Sequence, residues 1–396
     1  MRVHFVGGFL GSGKTTAIAG ACRLLVSRGV RVGVVTNDLG KLQVDSHFIK
    51  ALGFPDVEVS GGCFCCNYDD FEERIGALTQ RERPEVVFAE SVGSCADLVS
   101  TVIKPFLAFR DHRGIESALS VFADSRLLAA RLFSKPLPFS EDLTYLFDRQ
   151  LEEAELIVLN KRDLLDSWER AELRAATISA YPHARVLEIC AIEPEGPETW
   201  FAEAESLAKS AAAQESDPSV RSNPPPPMNI DYGRYGRGER ELSWLDVRIL
   251  IEDPSETAHE SYRCRDVTLA LMHELWKRTT MEGKAPGHVK VLVSAGGERY
   301  KLGYSSGDTL LRGQASEARY PFGDADLPMF RTKSVTLILN ARVLTDPENL
   351  LGLVSEAIEA VRAEVGVKIV QEDRSAFRPD FPRPAGIAGV QGYNRV

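Results

Sequence analysis

Apolar positions in the first part of the chain fall into short unbroken runs separated by amphipathic stretches. The runs cover residues 2–6, 31–36, 57–60, 84–89, 119–123, 154–159 and 185–190. They do not alternate apolar with polar, as a half-exposed strand would. Continuous apolar runs of this length suit parallel strands covered on both faces. Between the first two, Lys14 to Arg28 has helical spacing, with Ile18, Cys22, Leu25 and Val26 on one side and Gly29 placed as a C-cap. Strand–helix repetition predicts a mostly parallel sheet joined by right-handed crossovers.

The pattern breaks after residue 213. Residues 214–241 hold a polar stretch, the Pro224 to Pro227 run and three glycines between Gly233 and Gly238, a linker composition. From 242 to 371 the periodicity predicts strand 243–251, helix 265–280, strands 288–294, 299–304 and 334–343, helix 347–364 and strand 367–371. That is a small α+β domain. Residues 372–396 read as an irregular tail, either disordered or laid across a surface.

The chain has 396 residues, 44% of them hydrophobic and 26% charged. This is ordinary for a globular protein and excludes a disordered or fibrous one. No apolar run approaches the ~18 residues of a membrane span. The apolar start, Met1 to Leu10, runs into Gly11 without a cleavage site, so no signal peptide is read and a cytoplasmic location is expected. The net charge of -10 offers no basic field for nucleic acid or for an anionic membrane. Seven cysteines, an odd number, do not suggest a disulfide framework; clustered thiols in a reducing compartment point to metal or redox chemistry.

The chemistry starts at Gly8-Phe-Leu-Gly11-Ser12-Gly13-Lys14-Thr15, a G-x4-G-K-[ST] loop between a strand and a helix. Such a loop turns consecutive backbone N–H groups and a helix N-terminus toward one anion. Lys14 would reach the β- and γ-phosphates, and Thr15 the Mg²⁺. The fold class is therefore an α/β P-loop NTPase domain over residues 1–213, followed by the smaller α+β domain.

Asn160-Lys161-Arg162-Asp163 follows the sixth run, about 145 residues after the loop. The Asp163 carboxylate can accept both N1–H and the 2-amino group of guanine, a donor pair that adenine lacks. Asn160 would meet the other base edge and the Lys161 stem would cover the ring. Cys190-Ala191 is a further turn in reach of the base. Glu90-Ser91-Val92-Gly93 ends the fourth run; Glu90 would orient Mg²⁺ or its water, and the Gly93 N–H would face the γ-phosphate. Asp38, in Thr36-Asn37-Asp38-Leu39-Gly40, is either a plain Asx turn or a second group near Mg²⁺. No water-orienting Gln and no arginine finger is visible, so hydrolysis is expected to be slow, ~10⁻⁴ to 10⁻² s⁻¹.

Gly61-Gly62-Cys63-Phe64-Cys65-Cys66 places three thiols within four residues. Convergent thiolates at this spacing suit a soft or borderline cation, although buried cysteines also serve as small hydrophobes. A closed zinc site wants four ligands, and Cys95, two residues past Gly93, is the candidate fourth. Cys22 and Cys264, and His4 and His288 in apolar runs, read as core residues.

Together GGFLGSGKTT (7–16, including Thr16), TNDLG (36–40), GGCFCC (61–66), ESVG (90–93) and NKRD (160–163) resemble the CobW-type GTPases. These are sisters of the urease and hydrogenase nickel-insertion GTPases. MNIDYGRY (228–235) resembles a linker in some members. The resemblance implies a GTPase binding GTP/GDP and Mg²⁺, whose C-x-C-C thiols Cys63, Cys65 and Cys66 hold Zn²⁺ or Co²⁺ for delivery to a client metalloprotein, and it admits a homodimer. Two departures stand out: Ser-Val-Gly follows Glu90 where Ser/Thr-Thr-Gly is commoner, and there is no His-rich loop. The alternatives are a GTP-dependent chaperone of a metallocofactor enzyme with structural cysteines, and a P-loop small-molecule kinase.

Overall fold

The computed structural model describes residues 1–60, 62–108, 115–216, 228–255, 262–280, 284–310, 326–364 and 366–383. Two sheets organise it. The first contains β1 (Arg2–Gly8), β2 (Val32–Asp38), β3 (Asp56–Ser60), β4 (Val86–Glu90), β5 (Glu116–Asp124), β6 (Leu156–Asn160) and β7 (Arg185–Glu188). Its order is β3-β2-β4-β1-β5-β6-β7, and every pairing is parallel. Each predicted run is a strand of this sheet. Both faces are covered by apolar clusters, one around Phe5, Phe71 and Leu119, the other around Phe88, Phe122 and Trp200, which explains why the runs do not alternate.

The helix Lys14–Ser27 buries Ile18, Cys22 and Leu25 as its spacing predicts. Val26 departs from the expectation: it is 48% exposed, because it lies one step round the helix from Leu25 and past the edge of the apolar stripe. Gly29 adopts φ 76° after the helix, as a C-terminal glycine does.

The second sheet contains β8 (Leu242–Glu252), β9 (Pro286–Ala295), β10 (Glu298–Ser305), β11 (Ser334–Leu344) and β12 (Lys368–Phe377), in the order β10-β9-β11-β8-β12, with every pairing antiparallel. Here the strands alternate. Leu245, Val247 and Ile249, Val289, Val291 and Val293, and Leu337, Leu339 and Ala341 form one face, buried against the helices Arg263–Thr280 and Pro347–Glu364. The intervening Trp244 and Asp246, His288 and Lys290, and Asn340 and Arg342 form the other, a polar face that is not solvated. It lies against the C-terminal ends of the first sheet. His288 is thus no core histidine of the second domain; it points into the cleft between domains.

Residues 232–241, expected to be linker, form the helix Tyr232–Glu241. The Asp231 carboxylate caps it by accepting from the Gly233 and Arg234 N–H groups. Tertiary contacts outweigh its glycines: Tyr235 is buried, Arg234 and Arg237 pair with Asp142, and Gly238 touches the Asp142 backbone. The expected tail also has structure in part. β12 runs to Phe377, Phe381 packs on Gly236, and the Arg383 N–H donates to Cys66 Sγ at 3.2 Å. Residues 384–396 lie outside the described residues. No helix among the described residues is long and apolar enough to cross a membrane.

One buried cation ties these parts together. Arg342 is fully buried; it donates to Ser94 Oγ at 2.7 Å and to the Glu239 carbonyl at 3.0 Å, and its guanidinium lies 5.0 Å from the Trp244 ring centre. Arg342→Ala should therefore cost about 3–5 kcal/mol, because the buried Glu239 carboxylate loses its cation. Urea denaturation measures it, and a loss below ~1 kcal/mol would contradict this account.

Glu153 accepts from the Val99 N–H at 3.1 Å, and burial pushes its carboxyl up to about 8. A raised carboxyl stays protonated in the fold where the unfolded chain has already ionised. Its share of stability is present at low pH and falls as pH rises from ordinary carboxyl values through 8. Glu153→Gln should match the wild type at pH 5 and unfold at higher urea at pH 9; equal midpoints at pH 9 would rule this out.

Candidate functional site

The loop 8–13 leaves β1 and enters the helix at Lys14, whose Nζ folds back to donate to the Gly8 carbonyl at 2.7 Å and the Phe9 carbonyl at 3.3 Å. Burial pulls its ammonium down to about 8. Thr15 Oγ1 donates to Glu90 Oε1 at 2.8 Å, bringing together two residues that lie 75 apart in sequence. Glu90 Oε2 and Ser12 Oγ are buried without a hydrogen-bond partner. A divalent cation beside Thr15 and Glu90, and a phosphate beside Ser12, would supply those missing partners. Thr16 follows on the first turn. Gly93 reaches the same place: a Cβ there would come within 2.7 Å of Leu10 Cδ2 and 3.0 Å of its backbone N, so only glycine lets this loop approach so closely.

The residues expected to read the base follow the end of β6. Asn160 Nδ2 donates to the Ser12 carbonyl at 2.7 Å, and its Oδ1 accepts from the Ala191 N–H at 2.9 Å. Asn160 therefore braces the phosphate loop against the 190–191 turn. Lys161, at φ 61°, extends to Asp124 Oδ2 at 2.8 Å, and Asp163 is exposed beside Cys190. Asp124 is held well below the usual carboxylate range by Lys161 and Arg126, which outweigh its burial.

Asp38 forms the Asx turn that its sequence context allows, and it also faces a cleft. Its Oδ1 accepts from the Gly40 N–H at 3.0 Å, an Asx turn, and it also lines a cleft with Lys14, Glu90 and Gly93. Burial, then the nearby Asp246 and Asp45, push its carboxyl well up. The cleft holds about 30 Å³ and is roofed by the second domain's Trp244, His288, Lys290 and Asn340. Gly11, at φ 71°, is where the roof touches: a Cβ there would meet Ser305 Cβ at 2.3 Å. A relay fixes the other side. His288 Nε2 donates to Asn340 Oδ1 at 2.7 Å, Asn340 Nδ2 donates to Asp246 Oδ1 at 2.8 Å, and Asp246 Oδ2 accepts from the Lys41 N–H at 2.7 Å.

The thiols form a second centre. The Cys63 carbonyl accepts from the Cys66 and Asn67 N–H groups, a turn that gathers the side chains. Phe64 is buried 4.6 Å from the Phe71 ring and anchors the turn. The Sγ atoms lie 2.7 Å apart for Cys63 and Cys65, 3.3 Å for Cys63 and Cys66, and 3.8 Å for Cys65 and Cys66, a set able to hold one metal ion. Cys95 Sγ is 3.7 Å from Cys65 Sγ. At a metal–sulfur distance of ~2.3 Å, tetrahedral thiolates stand ~3.8 Å apart, close to the two longest of these separations. Hydrogen bonds from Cys63 and Cys65 pull the Cys95 thiol below the usual thiol range, outweighing its burial. Cys22 and Cys264 are buried apart from the cluster, as expected.

The two centres share walls. Asn37, next to Asp38, donates to the Gly62 carbonyl at 2.7 Å and accepts from the Phe64 N–H at 3.0 Å. Gln150 donates to the Gly93 and Cys95 carbonyls at 3.1 and 2.8 Å. Ser94 donates to Glu239, and the Ala96 N–H donates to the Tyr235 hydroxyl at 3.3 Å. The sequence reading missed Gln150, Tyr235, Glu239, Lys290 and Arg342. For Lys290 and Arg342 a signal was available, the recurrence of polar residues at alternate positions of β8, β9 and β11 (Asp246, His288, Lys290, Asn340, Arg342); for Gln150, Tyr235 and Glu239 there was none.

Residues 2–188 match the model of the CobW/HypB/UreG nucleotide-binding domain. The zinc chaperone CobW of Sinorhizobium sp. is 32% identical over 186 residues, 40% of this chain and 50% of that protein. The zinc chaperone CobW of Pseudomonas aeruginosa is 28% identical over 210 residues, 46% of this chain and 55% of that protein. The chain thus spans about half the length of these curated relatives. The crystal structure of the hydrogenase maturation factor HypB from Archaeoglobus fulgidus shares 18% identity at a TM-score of 0.36, covering 52% of this chain and 90% of that one. The phosphate loop, the Thr15–Glu90 pair and the NKRD turn all lie within residues 2–188, on one parallel sheet, and it is this segment that is similar to the CobW/HypB/UreG nucleotide-binding domain.

Proposed function

We propose that this protein is a GTP-hydrolysing metallochaperone, which couples its nucleotide state to a transition metal held by Cys63, Cys65 and Cys66 and passes that metal to a client metalloprotein. The observation that carries the reading is the placement of the thiol turn. It is strapped to Asn37 on one side and packed on Cys95 on the other. Both neighbours belong to loops that also line the phosphate cleft, through Asp38 and Gly93. A γ-phosphate drawing on those loops would move the walls of the thiol centre, which is how nucleotide switches reach a distant readout.

The site chemistry supports each part. Gly8, Gly11, Ser12, Gly13, Lys14, Thr15 and Thr16 would cradle the phosphates, and Asn160, Lys161 and Asp163 would select guanine. Thr15 and Glu90 would hold Mg²⁺, which when bound neutralises charge on the β- and γ-phosphate oxygens. For the triphosphate to enter, Lys14 must leave the Gly8 and Phe9 carbonyls, since the present cleft is little larger than one water. The metal is cargo. Thiolates favour Zn²⁺ or Co²⁺ over Mg²⁺, and the zinc chaperones among the relatives favour zinc. Cys95 would complete a four-thiolate set, and its position two residues past Gly93 would make it the ligand most sensitive to nucleotide.

A Co²⁺ titration of the reduced protein, read by thiolate-to-cobalt absorbance, tests this reading. It is run with Mg²⁺ and a non-hydrolysable GTP analogue, with Mg·GDP, and without nucleotide. Binding should be tightest with the GTP analogue and be lost in Cys65→Ala. By linkage the metal should tighten analogue binding by the same factor. Cys95→Ser should weaken Co²⁺ by about 10-fold or more and lower the absorbance per metal. Binding indifferent to nucleotide and to Cys65 would sink the metal-carrier reading. A client retained by Cys→Ala variants would then favour a cofactor-enzyme chaperone with structural cysteines.

A further inference from the structure

The phosphate cleft contains a second lysine that the P-loop does not supply. Lys290, on β9 of the second domain, lines it opposite Lys14, Glu90 and Gly93. Its Nζ sits 2.5 Å from Asp45 Oδ2, and Lys301 Nζ, from β10, sits 2.6 Å from Asp45 Oδ1. Asp45 opens the helix Val44–Ala51, just past the Asp38 loop. The charges of this group are felt at Glu90 and Asp38, so they share one poorly screened space. Burial disfavours the Lys290 ammonium, yet Asp45 and Glu90 more than offset it and keep it charged.

Two features mark Lys290 as more than an interdomain ion pair. Asp45 is doubly paired, so Lys301 alone still neutralises it if Lys290 turns away. Lys301 is not among the residues lining the cleft, whereas Lys290 is. Its neighbours also fix where it comes from. Lys290 on β9 pairs directly with Asn340 on β11, the centre of the His288–Asn340–Asp246 relay that holds the Lys41 N–H. The strand is thus locked to the loop it faces. A lysine on a rigid strand, lining the same cleft as Lys14, Glu90 and Gly93, would supply the preorganised positive charge that P-loop switches otherwise recruit from a partner's arginine.

We infer that Lys290 is a cis-acting lysine finger: the second domain inserts it beside the γ-phosphate of GTP, where it exchanges Asp45 for the phosphate and stabilises the transferring group. The inference rests on the GTPase reading above. In the reaction, water's oxygen bonds to the γ-phosphorus while the bond to the β–γ bridging oxygen breaks. The electron pair stays on GDP, and the water proton leaves with inorganic phosphate. Lys290 makes and breaks no covalent bond; it offsets the charge that develops on the transferring oxygens.

Single-turnover GTP hydrolysis, together with binding of GDP and of GDP plus aluminium fluoride, tests this in the full chain. The variants are Lys290→Met, Lys290→Arg and Lys301→Met. Lys290→Met should lose about 10²-fold in rate and fail to trap the fluoride complex, while GDP affinity stays within ~3-fold of wild type. Lys290→Arg should keep a measurable part of the rate, and Lys301→Met, which takes away the charge left on Asp45 when Lys290 turns to the phosphate, should slow hydrolysis by clearly less than Lys290→Met does. A Lys290→Met variant that hydrolyses at the wild-type rate, or a Lys301→Met variant as slow as Lys290→Met, overturns the finger, the latter by showing that the ion pair with Asp45 is what matters. A wild type that binds no GTP overturns the GTPase reading and the finger with it.

Discussion

The structure depends on the burial of one guanidinium. Arg342 has no access to water, so its charge must be met by protein. It is met by Ser94, by the Glu239 carbonyl and carboxylate, and by the face of Trp244. Each comes from a different part: Ser94 from the loop after β4, Glu239 from the helix Tyr232–Glu241, Trp244 from β8. Satisfying that charge forces the helix onto the loop and the second sheet onto both. The loop between Gly93 and Asp97 is then enclosed, with its groups bonded by Gln150, Tyr235 and Tyr232. The thiol turn rests on this enclosed loop through Cys95.

The second constraint is electrostatic. The second domain lays a polar sheet face over the phosphate loop, a place where unpaired charge is costly. Lys14, Lys290 and Lys301 are balanced against Asp38, Asp45 and Glu90. A nucleotide with its cation alters that balance, and the groups that respond belong to both domains. Asp45, held well below the usual carboxylate range because its two lysines outweigh its burial, is the acid most tightly bound into this arrangement. On the proposed function this makes the second domain part of the nucleotide site, and not merely a docking module tethered to it.

Much of the first domain was legible because its physics is local. A parallel sheet covered on both faces needs continuous apolar runs, and the runs at 2–6 and 154–159 stand where β1 and β6 lie. A phosphate loop needs Gly8, Gly11, Gly13 and Lys14 at fixed spacing, and a thiol cluster declares itself when Cys63, Cys65 and Cys66 share one turn. The errors share a cause. Glycines at 233, 236 and 238 suggested a linker, but burial of Tyr235 and close contact with Asp142 and Phe381 outweigh their backbone entropy. Val26 and His288 were misread because a single residue's side of an element depends on what covers it.

By itself the sequence determined the strands of both sheets, the phosphate loop, the NKRD turn and the thiol cluster, because each is encoded by residues close together in the chain. Only the tertiary structure decided that Thr15 meets Glu90, that Cys95 joins the thiols and that Asn37 straps them. It also decided that Lys290, His288 and Asn340 roof a cleft whose floor comes from the first hundred residues of the chain. Those contacts arise when the polar face of an antiparallel sheet finds the one surface able to pair its charges. Alternation within a strand can announce such a face, but it cannot name the loop that the face will cover.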